Sequence, residues 1–180
     1  MKSFTAIRTT AVATAIAAAF AYAPAASAGS APADLTVTAS VAANCTIATS
    51  PLAFGAYDPV VANATTALNG SGSVTVACTK GATSLTIGLG LGNNNSSGRR
   101  MAGGGDFLAY GLFQPPTNVP STACTFPAST AWGTAAAALT LTAPASKVAR
   151  TYNICGTIPA GQDVSVAATY NDTVVATINF

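Results

Sequence analysis

From residue 35 onward the chain is dominated by short runs with an apolar side chain at every second position, broken by Gly, Pro, Asn and Ser. That period belongs to strands with one buried face and not to helices. Leu35, Val37, Ala39 and Val41 alternate with Thr36, Thr38 and Ser40. Ser73–Cys78, Ser84–Leu91, Phe107–Phe113, Ala138–Thr142 and Arg150–Cys155 are further short strand candidates, rich in β-formers. Asp163–Tyr170 and Thr173–Phe180 follow, separated by Asn171-Asp172. The clusters Gly70-Ser71-Gly72, Asn93-Asn94-Asn95 and Gly103-Gly104-Gly105 read as turns. Thr134–Ala138 has helix propensity but is short and hemmed in by Gly133 and Thr140. Many short strands at this spacing predict an all-β, antiparallel sandwich with no helix after residue 28.

The first 28 residues follow a different rule. Lys2 and Arg8 precede an apolar stretch, Ala11–Ala23, interrupted by Thr14, and Ala26-Ser27-Ala28 fits a small-x-small cleavage site. This predicts a signal peptide over 1–28, since the run is short of the ~20 residues that span a bilayer. What remains is one domain by length. Removing Lys2 and Arg8 takes the formal charge from +2 to neutral, which leaves no basic face for nucleic acid. Export also makes the even cysteine count informative. Cys45, Cys78, Cys124 and Cys155 predict two disulfides in an oxidising compartment, with three pairings open. The nearest pair, Cys124 and Cys155, is 31 residues apart, unlike the close C-x2-C pairs of zinc sites. The sequential pairing would close two loops of similar size, each contributing roughly 3.5–4 kcal/mol in the chain-entropy model.

The two ends raise a functional possibility. At the C-terminus Val174, Ala176, Ile178 and Phe180 share one face of an edge strand that runs to the final residue. At the other end, an extension over 29–43 begins with Gly-Ser-Ala-Pro and carries the alternating segment Leu35–Val41. One end is expected to lack a strand and the other to offer a spare, which predicts strand exchange between subunits. The candidate donor residues are Leu35, Val37, Ala39 and Val41, and their segment would extend over roughly 23 Å at ~3.3 Å per residue.

Other motifs read plainly. Gly88-x-Gly90-x-Gly92 lacks the spacing of a dinucleotide loop. The N-x-S/T triplets at Asn44, Asn63, Asn69, Asn94, Asn95 and Asn171 are expected in so Asn- and Thr-rich a chain. Asp58, Asp106, Asp163 and Asp172 sit among turn residues and make no catalytic pair, Asp172 marking the turn between the last two strands. Arg99-Arg100 reads as a solvated loop and Trp132 as core. There is no histidine, which removes imidazole-based catalysis and ligation. No enzyme, metal or cofactor is expected.

A series of elements stands out by order and spacing: Asn44-Cys45-Thr46 leading to Pro51–Tyr57, Gly72–Cys78, Arg99-Arg100-Met101, Leu108–Phe113 and Trp132-Gly133. The most specific are Ile158–Val164 and Tyr170–Val174 running through Ile178-Asn179-Phe180. Together they resemble the spore coat protein U domain family, which includes subunits of archaic chaperone–usher pili. The resemblance covers roughly residues 34–180, with residues 44–180 as the sandwich domain. It implies an incomplete immunoglobulin-like sandwich completed by donor-strand complementation, and a Cys45–Cys78 bridge that favours the sequential pairing. Cys124 and Cys155 are a second pair that the family does not require. The implied partners are a periplasmic chaperone, an outer-membrane usher and other pilin subunits. The implied location is the periplasm and then the cell surface, in adhesion and biofilm. A self-complemented secreted coat or surface protein, or a carbohydrate-binding adhesin, is the alternative.

Overall fold

The computed structural model describes residues 28–180, so the leader expected over 1–28 lies outside the described residues but for Ala28. The chain divides into a unit ending at Ala39 and a second unit, Ser40–Phe180. In the first, residues 28–39 are exposed and form no regular secondary structure. The second holds every described strand: β1 Cys45–Ala53, β2 Leu68–Cys78, β3 Thr86–Leu89, β4 Arg100–Gly103, β5 Asp106–Ala109, β6 Gly111–Phe113, β7 Leu139–Thr140, β8 Arg150–Ile158 and β9 Ala176–Asn179. All pairings are antiparallel. One sheet runs β1-β2-β8-β6, a second β7-β3-β9, and β4-β5 form a ribbon.

The alternation explains the layers. Along β2, Val74, Val76 and Cys78 are buried while Ser73, Thr75 and Ala77 are half-buried on the other face. Tyr152 and Ile154 of β8 join that buried row, and Ile87 and Leu89 of β3 meet it with Leu85, Leu139 and Leu141. One cluster thus takes side chains from both sheets, as a sandwich core does. Trp132 lies wholly inside it and donates its indole N–H to the Ile87 carbonyl at 2.7 Å. The fold is all-β, as expected, and its only helical element among the described residues is a 3-10 turn, Ala135–Ala137.

Several boundaries differ from the sequence reading. Gly70-Ser71-Gly72 is not a turn but part of β2. A Cβ at Gly72 would sit 2.8 Å from Leu52 Cβ and 3.1 Å from its Cα, so glycine is needed for β1 to pass. Gly72→Ala is therefore expected to lower stability by ~1–3 kcal/mol, the usual cost of overpacking. At Gly156 the nearest atoms to an added Cβ are the far ends of the Leu52 and Phe54 side chains rather than backbone, so Gly156→Ala should cost less. Thermal unfolding of the two variants checks the order; equal effects would contradict it.

Asp163–Tyr170 forms no strand despite its alternation. A ladder requires a partner row. Here the Ser165 N–H and hydroxyl go to the Asp106 carboxylate and the Tyr170 hydroxyl goes to the Ser165 carbonyl. Only Asn171 bridges, to Ala102. The expected strand Thr173–Phe180 contracts to β9, and Phe180 is 54% exposed instead of sharing the buried face. Its partner β3 begins at Thr86, opposite Asn179, so Phe180 lies one step beyond the end of the ladder. Phe107–Phe113 breaks at Tyr110 into β5 and β6. β1 and β4 were not expected as strands, and Leu35–Val41 forms none within this chain.

The Asp58 loop carries a pH dependence. The Asp58 carboxylate accepts the Val61 and Val60 N–H groups, and the buried Asn63 closes the loop onto Asp58 N–H and the Thr66 carbonyl. Those N–H bonds, Val61 first, hold the Asp58 carboxyl below its ordinary 3.8. The Ser165 hydroxyl and then its N–H do the same for Asp106. A depressed folded value gives stability that is present above the unfolded value and is lost as pH falls through the folded one. Stability should thus decline below about pH 4, and the double variant Asp58→Asn, Asp106→Asn should flatten that acid limb in melts across pH. An unchanged acid slope would contradict this.

Candidate functional site: a groove between two sheet edges

Among the described residues, β1 pairs only with β2, and β9 only with β3. Each is an edge strand, and the two run close to each other at one side of the sandwich. Between them opens a groove of about 420 Å³. Thr49–Leu52 and Phe54 form one wall, and Tyr170–Val174 with Ala176 the other. Leu89, Leu112 and Ile154 supply an apolar floor.

The local sequence explains the opening. The β1–β2 register shifts between Ser50 and Ala53, where Pro51 has no N–H to give a ladder and suits an edge or bulge. Beyond the shift, Leu52 packs against the core, and Phe54 stands edge-on to Tyr110 with ring centroids 6.2 Å apart. On the other wall the antiparallel pattern decides where main-chain groups point. The carbonyls of Thr173 and Val175 accept from Asn93 and Gly90, on the β3 side. Alternation then turns the N–H and C=O groups of Val174, Ala176 and Ile178 away from β3. Their side chains are half-buried and pack on the core. β9 therefore presents apolar side chains and an unpaired main-chain row together.

One end of the groove is polar and tightly held. The Tyr110 hydroxyl donates to Asp172 Oδ2 at 2.7 Å, while the Asn94 N–H and side-chain amide donate to Oδ1 at 3.1 and 3.2 Å. Burial, followed by the Asp172 bond, raises the Tyr110 hydroxyl well above the ordinary tyrosine value. A Cβ at Gly92 would collide with the Asp172 carboxylate, and Gly92 has φ +89°, so glycine is required there twice over. Asp172 thus joins the Asn94 loop to Tyr110 rather than merely closing a turn.

Arg99 corrects the expectation of a solvated loop. Its guanidinium donates to the carbonyls of Leu89, Gly90 and Trp132 at 2.9, 2.9 and 2.7 Å, and burial lowers its pKa. Arg100 lies 3.7 Å over the Phe107 ring and donates to the Asn94 carbonyl. Two disulfides fix the frame. Cys45–Cys78 ties the start of β1 to the end of β2, and Cys124–Cys155 ties the loop after β6 to β8.

Of the residues singled out from sequence, Val174 and Ala176 line the groove, and Ile178 packs on the core in line with them. Phe180 does not join them. Leu35, Val37 and Val41 are 85%, 83% and 84% exposed, and Ala39 is exposed too. Sequence reasoning missed Leu52, Phe54, Tyr110 and Leu112 as lining residues, although each lies in a segment that carried the resemblance.

Comparison with known proteins bears on the family and the fold. The Spore Coat Protein U domain family matches residues 31–177. Protein U of Myxococcus xanthus is 38% identical over 195 aligned positions, covering 97% of this chain and 99% of that protein. Among solved structures, the chain is similar to one from the CsuC–CsuE chaperone–tip adhesion subunit pre-assembly complex of the archaic chaperone–usher Csu pili of Acinetobacter baumannii. There the TM-score is 0.51 at 19% identity, covering 78% of this chain and 40% of that one. At that identity the likeness concerns the fold alone, an all-β arrangement of antiparallel sheets.

Proposed function

Because this chain belongs to the spore coat protein U domain family, we propose that it is a structural subunit of a surface fibre, a pilus built by donor-strand exchange. The groove carries this reading: two edge strands with open main-chain rows flank an apolar floor. The same chain has an exposed arm whose Leu35, Val37, Ala39 and Val41 would fill that groove in a neighbour. An unpaired edge beside exposed apolar side chains invites aggregation until it is covered. A periplasmic chaperone would cover it first, an outer-membrane usher would hand the subunit on, and the next subunit's arm would replace the chaperone. Main-chain pairing would supply much of the affinity and the modest side chains the register. Export to the periplasm and then the cell surface, with adhesion and biofilm as the role of the fibre, belongs to the same reading. It involves no catalysis: Asp58, Asp106 and Asp172 are each engaged in holding loops.

The nearly full-length similarity to Protein U favours one second reading, a surface coat subunit whose groove is filled by its own arm. A synthetic peptide of residues 33–43 separates the two. Added during assembly of the purified protein, it should cap growth and shorten the polymers, and a peptide carrying Val37→Asp should not. Absence of polymers, or polymers indifferent to the peptide, would overturn the fibre reading.

A further inference from the structure

Immediately upstream of β1, residues 42–44 are held along a defined line. Asn44 lies one step beyond the Cys45↔Cys78 pair, opposite Thr79. The Thr79 N–H donates to the Asn44 carbonyl at 2.9 Å. The Asn44 N–H in turn donates to Thr79 Oγ1 at 3.1 Å, so a side-chain oxygen stands where a regular antiparallel pair would use the carbonyl. The Thr79 hydroxyl is also 3.3 Å from the carbonyls of both Ala42 and Asn44. Its single proton can serve either, and its oxygen accepts from Asn44. Residues 42–44 therefore prolong β1 past its disulfide instead of turning back.

We propose that Thr79 is a positioning residue that bars a hairpin between the N-terminal arm and β1, and so commits Leu35–Val41 to the groove of a second copy. The inference rests on the donor-strand reading above and adds the device that makes the exchange intermolecular. To fill its own groove, the arm would have to fold back antiparallel along the open edge of β1 toward Leu52. A tight turn at 42–44 would set Val41 opposite Cys45 and Leu35 opposite Pro51, covering the groove wall. With 42–44 held straight, the reversal must come earlier. If residues 39–41 make it, Leu35 reaches only Cys45, which is roughly 23 Å short of Leu52 at ~3.3 Å per residue. Ala39 and Val41 would then be spent in the turn. A second copy meets no such restriction.

Engineered cysteine pairs test this in the full chain. Val37→Cys on one copy mixed with Ala176→Cys on another reports exchange between copies; both substitutions on one chain also report filling within it, with peptide mapping to separate engineered from native bridges. The expected result is a strong cross-link in the mixture and, in the double-cysteine chain, products that are mostly intermolecular. Thr79→Val should raise the intramolecular fraction about fivefold, the effect of losing one neutral hydrogen bond. Thr79→Ser should restore the original ratio. A Thr79 variant that merely loosened the fold would lower both products together. A ratio unmoved by Thr79→Val, or an intramolecular product dominating the unmodified Thr79 background, would overturn the proposal while leaving the groove's occupant established. No cross-link in any combination would overturn the donor-strand reading itself.

Discussion

A chain carrying Val37→Asp should fold, keep both disulfides and form no polymer. Val37 is 83% exposed in its own chain, so a carboxylate there disturbs nothing in the subunit that bears it. In a neighbour's groove the same carboxylate would meet Leu89, Leu112 and Ile154, with no cation among the lining residues. Burying an unpaired charge costs several kcal/mol. At ~4 kcal/mol the exchange equilibrium would fall about a thousandfold. Size-exclusion chromatography and electron microscopy would show a folded monomer without fibres. Loss of the folded protein would mean the segment belongs to its own domain, and normal fibres would remove it as the donor.

The largest effect on stability should come from Trp132. It is wholly buried, joins the core side chains of both sheets, and satisfies the Ile87 carbonyl through its indole N–H. Its own carbonyl accepts from Arg99. Trp132→Ala should cost about 3–5 kcal/mol, a large part of the 5–15 kcal/mol typical of a whole domain. At roughly 2–4 °C per kcal/mol for a domain near this size, the melting temperature should fall by about 10 °C or more. Trp132→Phe keeps most of the volume and gives up one hydrogen bond to the Ile87 carbonyl, which keeps its ladder partner Leu139, so it should cost about 0.5–1.5 kcal/mol. Calorimetry on the three proteins gives the order; a Phe variant as damaging as Ala would mean the hydrogen bond, not the packing, dominates.

Much of this architecture was legible because a two-residue period reports a buried face directly. Val74, Val76, Ile87 and Ile154 all follow it. The misreadings share a cause: each depends on what lies opposite. Gly70-Ser71-Gly72 looked like a turn because its need for glycine comes from Leu52, some twenty residues earlier. Asp163–Tyr170 had a strand's alternation but no neighbouring row to bond. Arg99 reads as surface until the carbonyls of Leu89, Gly90 and Trp132 converge on it. The groove was legible only at its C-terminal wall. Its other wall depends on where β1 slips register against β2 between Ser50 and Ala53, a tertiary event that no local period encodes.

Residue-resolved hydrogen exchange on β9 tests most directly whether the groove awaits a strand from another subunit. The amides of Ala176 and Ile178 point away from β3, while those of Thr177 and Asn179 face it across the pairs with Gly88 and Thr86. In the Val37→Asp monomer, Ala176 and Ile178 should exchange quickly and Thr177 and Asn179 slowly. In the wild-type polymer all four should be slow, with the gain confined to the even-numbered residues. Equal protection of Ala176 and Ile178 in monomer and polymer would contradict the account.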